Sequence, residues 1–63
     1  MVDLAKIKEK AKGKNLSIAQ LEIKAGIANG TISGWEKSKP FVETLSKVAN
    51  VLECSIEELL VKE

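Results

Sequence analysis

The chain has 63 residues, 44% hydrophobic and 30% charged, with a formal net charge of +1. That size admits a single domain near the lower limit for an unsupported core, and its supply of Leu, Ile and Val excludes a disordered chain. Cys54 is the only cysteine and there is no histidine or tyrosine, which removes an internal disulfide, a zinc cluster and the usual nucleophile–base triads, so a non-enzyme without metal or cofactor is expected.

In chain order, Leu4, Ile7 and Ala11 recur at helical spacing, behind Asp3 as a suitable N-cap and before Gly13 as a suitable stop. Lys6, Lys8, Lys10, Lys12 and Lys14 occupy the other faces of that helix. Ser17 and Gln20 form a capping box that opens a short second helix, with Ile18, Leu21 and Ala25 inward and Gly26 ending it. A third helix is expected from about Ala28 or Asn29 to Lys37. Ser38, Lys39 and Pro40 then make a turn, and Phe41, Val42, Leu45, Val48, Ala49 and Leu52 mark a fourth helix. Ser55 and Glu58 form a second capping box, opening a fifth helix that buries Ile56 and Leu59 and in part Leu60. No apolar run approaches the ~20 residues of a membrane span. The charged N-terminus reads against a signal peptide, so a cytoplasmic location is expected.

The third helix holds the unusual chemistry. At 100° per residue, Asn29, Gly30, Ser33, Gly34 and Lys37 share one face, while Ala28, Thr31, Ile32 and Trp35 share the opposite one. Ile32 and Trp35 anchor the helix. The polar face is small-chained, and its two glycines each lower helix stability by roughly 0.5–1 kcal/mol relative to alanine. Such a face suits either plain solvent exposure or close approach to another surface. The charge is also uneven: residues 1–39 carry eight lysines against four acidic residues, and residues 40–63 carry two against five. A basic half suits a polyanion, although all ten basic residues are lysine and none is arginine, the better reader of guanine.

From Leu16 to Leu60 the sequence "LSIAQLEIKAGIANGTISGWEKSKPFVETLSKVANVLECSIEELL" resembles the phage repressor and Cro helix-turn-helix family, the XRE-like regulators. The shared pattern is Leu21, Gly26, Ile27 and Ile32, then Ser33 to Glu36, Pro40, Glu43 to Leu45, and Leu52 to Ser55. The resemblance implies an all-α, compact five-helix domain over residues 1–63, with the helix-turn-helix at about 17–37. It implies a sequence-specific transcriptional regulator, of phage, prophage or plasmid type, whose third helix enters the major groove of an operator N-terminus first. Bases would be met by Asn29, Gly30, Ser33 and Gly34, with Asn29 suited to adenine. Phosphates would be met by Ser17 and Ile18, by Thr31, and by Lys37, Ser38 and Lys39, with Lys10 and Lys14 adding attraction. The implied partner is double-stranded DNA, bound as a homodimer in which Leu60 and Val61 are candidate contacts.

The sequence departs from that pattern in three places. Ile18 stands where glutamine is common, and Glu22 where alanine is favoured. Glu53 stands where a helix-ending glycine is usual. Glu22 is expected to reach outward or open the crossing of the two motif helices, and Glu53 to strain its turn. Glu22 and Ile18, with the smooth glycine face and the lack of arginine, support an alternative, a protein-interaction module such as an antitoxin or adaptor on the same scaffold. Trp35 and Cys54 are expected in the core, with Phe41 and Val42 covering its end.

Overall fold

The computed structural model describes residues 2–61; the first residue and the last two of the expected 1–63 domain lie outside the described residues. Four α-helices and one 3-10 helix follow one another: α1 (Leu4–Gly13), α2 (Ile18–Ala25), α3 (Thr31–Gly34), α4 (Val42–Leu52) and the 3-10 helix (Ile56–Leu59). The all-α expectation holds, with a single 3-10 turn of four residues in place of the fifth α-helix.

Local chemistry explains most of the boundaries. Asp3 accepts from the N–H of Lys6 at 3.2 Å and caps α1. Gly13, expected to stop α1, is its last helical residue, and the left-handed residue that turns the chain is Asn15, at φ +60. The Leu16 N–H then reaches back to the Ala11 carbonyl at 2.9 Å. Asparagine tolerates this conformation better than other side-chain-bearing residues, so it serves where glycine was anticipated. In α2 the expected capping box forms in both directions, Gln20 N–H to Ser17 Oγ and Ser17 N–H to Gln20 Oε1.

Helix α4 presents Leu45, Val48, Ala49 and Leu52 to the core and packs against α2. These residues join Ile7, Ala11, Leu21, Ile32, Trp35 and Leu59 in one apolar cluster. Trp35 is thus in the core as expected, and Cys54 is half-buried against it. Burial pushes the Cys54 thiol above its ordinary pKa, against the opposing pull of Lys10. Phe41 and Val42 do not cover the core. They are 81% and 73% exposed, because α4 begins at Val42 and its inward stripe starts only at Leu45.

The chain ends are joined. Val2 and Leu60 form an antiparallel bridge, and the Asp3 N–H donates to the Leu59 carbonyl at 2.8 Å. No helix among the described residues is long and apolar enough to cross a membrane.

At the end of α4, Glu53 adopts φ +56, so the expected left-handed turn is present at a glutamate. Its carboxylate accepts from Lys14 Nζ at 2.8 Å, and that hydrogen bond and charge hold the Glu53 carboxyl below its ordinary range. A depressed folded-state pKa means the contribution is present above the unfolded carboxylate range and is lost as pH falls through the folded value. Carboxyl NMR titration should therefore place the Glu53 midpoint below that of an ordinary glutamate, and Lys14→Ala should raise it toward the ordinary value. A midpoint that ignores Lys14→Ala would contradict the pairing.

Candidate nucleic-acid interface

Helix α2 ends at Gly26, which adopts the left-handed conformation at φ +71 and ψ +32. The Ile27 N–H returns to the Glu22 carbonyl at 3.0 Å, a helix termination that an L side chain would strain. Half-buried Ile27 packs onto the core and directs the chain toward α3.

The next step departs from the helical expectation. Asn29 and Gly30 do not belong to α3. The Thr31 N–H donates to the Ala28 carbonyl at 3.2 Å, and Gly30 lies at φ +88, ψ −4. Those angles are those of the third residue of a type II turn, where glycine is the preferred residue. The Thr31 hydroxyl donates to the same Ala28 carbonyl at 2.6 Å. The expected helix from 28 or 29 to 37 therefore resolves into this turn, the four residues of α3, and tight turns over Trp35 to Lys37. In the latter, the N–H groups of Trp35, Glu36 and Lys37 each bond three residues back.

Glu22 explains the turn. It neither reaches outward nor opens the helix crossing: it is 2% exposed. One carboxylate oxygen accepts from the Gly30 N–H at 3.1 Å and the other from the Ile32 N–H at 2.9 Å. A buried carboxylate needs such donors, and the start of α3 offers them because its first N–H groups have no helical acceptor. Gly30 supplies the backbone angle.

Asn29, Gly30, Ser33 and Gly34 are all exposed and follow one another along the turn and α3. Lys37 and Lys39 are exposed beyond the end of α3, with no ion-pair partner among the described residues. At the start of α2, Ser17 uses its oxygen as a cap acceptor, so its hydroxyl proton remains available to an anion. Ile18 is half-buried, and as a first-turn residue its backbone N–H has no helical acceptor.

The other expected phosphate contacts are placed differently. The Thr31 hydroxyl is committed to Ala28, and that of Ser38 donates to the Gly34 carbonyl at 3.1 Å, so both stabilise turns. Lys10 and Lys14 face glutamates, at 3.8 Å from Glu58 and 2.8 Å from Glu53. Phe41 borders a shallow hollow beside α3 with Gly30, Thr31 and Gly34. Among the described residues no group of acidic, histidine or cysteine side chains could hold a metal ion.

A helix-turn-helix family profile matches residues 7–59. The chain belongs to the helix-turn-helix family. It is similar to the N-terminal DNA binding domain of SinR from Bacillus subtilis, with 33% sequence identity and a TM-score of 0.82 over 95% of this chain and 91% of that one. No curated protein matches it. The resemblance to phage repressor-like regulators, carried by Leu21, Gly26, Ile32 and the residues around Trp35, is thereby shown as family and fold.

Within this helix-turn-helix, the role of Glu22 does not emerge from helical spacing. A usable signal is present: Asn29-Gly30 is a strong turn dipeptide, and an acidic residue one turn before the end of α2 faces the segment that such a turn would expose. The regular spacing of Ala28, Ile32 and Trp35 hides it.

The two glycines of this segment now differ. A Cβ at either position meets nothing within 4 Å, so backbone conformation decides. Gly34→Ala should stabilise the domain by roughly 0.5–1 kcal/mol, and Gly30→Ala should destabilise it by about 1 kcal/mol or more. Thermal melts of the two variants check this. Shifts of the same sign would place Gly30 in the helix after all.

Proposed function

We propose that the domain is a sequence-specific DNA-binding transcriptional regulator of repressor or Cro type. It lays the Asn29–Gly34 edge into the major groove of an operator and binds as a homodimer on two half-sites about one helical turn apart. The observation that carries the proposal is the exposed, low-relief edge of Asn29, Gly30, Ser33 and Gly34, held on a helix-turn-helix that is 33% identical to a DNA binding domain.

Each residue has a role in this reading. Asn29 bonds adenine N6 and N7, and Ser33 reads an adjacent base edge. Gly30 and Gly34 admit the groove wall to the backbone. The Ser17 hydroxyl and the Ile18 N–H take one phosphate at the start of α2, and Lys37 and Lys39 take others beyond α3. Thr31 and Ser38 support the turns between these groups, and Lys10 and Lys14 add only to the long-range field. A regulator of this kind works beside the nucleoid in the cytoplasm.

A second reading has its own observation. Phe41, Val42 and Val61 are exposed, and Val42 lines an apolar hollow with Val2, Pro40, Leu45 and Leu60. That face suits protein, which serves the homodimer or the alternative module, an antitoxin or adaptor.

Selection from a random duplex library, at low and at near-physiological salt, separates the two. An operator reader enriches an inverted repeat, and four free lysines per dimer give a log–log salt slope of about −4 or steeper. Gly34→Gln, at a helical position with open space, should fold and weaken that binding at least tenfold by blocking close approach. Unchanged affinity in Gly34→Gln would contradict the proposed edge, and an absence of any enriched sequence would favour the protein-binding alternative.

A further inference from the structure

Glu22 is the one buried charged side chain among the described residues. It touches the connection between α2 and α3 three times. Its backbone carbonyl accepts from Ile27 at 3.0 Å, and its two carboxylate oxygens accept from Gly30 and Ile32 at 3.1 and 2.9 Å. Both ends of the segment from Gly26 to α3 are therefore tied to a single residue of α2.

The tie has a directional consequence. In a helix that began at or before Asn29, the side chains of Asn29 and Ser33 would stand one above the other, four residues apart on one face. In the observed turn, Asn29 occupies a corner before Gly30 at φ +88 and leaves that line. The two arrangements aim the Asn29 amide differently while leaving Ser33 in place, so they set different relations between the base each can meet. The turn is closed by the Thr31 N–H and hydroxyl on the Ala28 carbonyl, and the Glu22 carboxylate adds acceptors for the N–H groups of Gly30 and Ile32. Without that acceptor the turn loses the bonds that tie it to α2.

We propose that Glu22 is the specificity-positioning residue of the DNA-reading edge: by holding the N–H groups of Gly30 and Ile32 it makes Asn29 meet the bases from a turn rather than from a helix. The proposal rests on the DNA-binding reading above. It also makes Glu22 and Gly30 a coupled pair, so that Gly30→Ala costs more beside Glu22 than in Glu22→Ala. A carboxylate that merely filled the helix crossing would not produce that coupling.

The test uses the parent, Glu22→Ala, Gly30→Ala, the double variant and the nearly isosteric Glu22→Gln, which answers if Glu22→Ala does not fold. Each is taken through duplex-library selection at a temperature where circular dichroism shows it folded, with binding to a scrambled duplex measured alongside. Amide hydrogen exchange is followed at Gly30, Ile32 and Val48. The expected result for Glu22→Ala is retained salt-dependent binding to the scrambled duplex, with discrimination at the Asn29-dependent base pair reduced by roughly tenfold to a hundredfold, the worth of one bidentate base contact. Exchange should speed up at Gly30 and Ile32 while Val48 stays protected. Glu22→Gln should fall between, since its amide oxygen can accept one N–H but its NH2 faces the other. The proposal is overturned if Glu22→Ala selects the parent's sequence with the parent's discrimination, or if exchange at Gly30 and Ile32 does not change. A parent that enriches no sequence overturns the DNA-binding reading and this proposal together, which distinguishes that failure from a failure of the positioning role alone.

Discussion

A carboxylate can be buried without a counter-cation only where polar hydrogens stand ready for it. At Glu22 they belong to the backbone of the segment that follows, the N–H groups of Gly30 and Ile32. The two sides of this interaction solve each other's problem. The start of α3 has N–H groups without helical acceptors, and α2 carries an ionisable side chain turned into the crossing. Removing the carboxylate would leave the buried Ile32 N–H unpaired, at about 1–3 kcal/mol, in a domain whose total stability is on the order of 5 kcal/mol. Asn29 and Gly30 stand in the turn that this contact braces, together with the bonds from Thr31 to the Ala28 carbonyl.

The rest of the fold gives this contact a fixed base. Leu21 on α2 and Ile32 on α3 are fully buried in the same cluster as Val48 of α4, so both motif helices are seated on one core. Trp35 adds the largest apolar side chain of the segment just after α3. The bridge between Val2 and Leu60 joins the two ends of the described chain beside Trp35. By contrast, the surface pairs Lys10–Glu58 and Lys14–Glu53 are exposed, where solvent screening leaves such pairs little weight in stability. Their consequence is for charge: they turn two of the α1 lysines toward the acidic C-terminal segment, while Lys8 borders α3 with Ile32 and Ser33 and Lys37 and Lys39 stand exposed beyond its end.

Much of this is legible in the residues. Apolar spacing locates α1, α2 and α4, because burying one stripe of each helix is the main force that holds so small a domain together. The Ser17–Gln20 box and Gly26 fix the limits of α2, since both act through local geometry that a short sequence window encodes. Where local signals conflict, the outcome turns on tertiary contacts. Asn29-Gly30 could continue a helix or make a turn, and the turn it makes is held by Thr31 on the Ala28 carbonyl and by a carboxylate eight residues earlier. Gly13 and Asn15 are competing stops, and the last turn of α1 runs on to the later one. Phe41 and Val42 continue the apolar pattern of α4, but the core does not extend to them. Of the candidate site, Asn29, Gly30, Ser33 and Gly34 are exposed, but Asn29 and Gly30 stand in a turn rather than on the expected helix face. The hydroxyls of Thr31 and Ser38 are engaged within the protein, which depends on donor–acceptor distances that spacing alone does not contain.

The exposed residues Asn29, Gly30, Ser33 and Gly34, flanked by Ser17 and Lys37, form the surface proposed to meet DNA. The most direct measurement is an amide chemical-shift map of the 15N-labelled protein titrated with a random-sequence duplex at low salt. The account predicts shifts at Ser17, Ile18, Asn29, Gly30, Ser33, Gly34, Lys37 and Lys39, fading as salt is raised. Shifts confined to Val2, Val42, Leu45 and Leu60, or none at all, would contradict it.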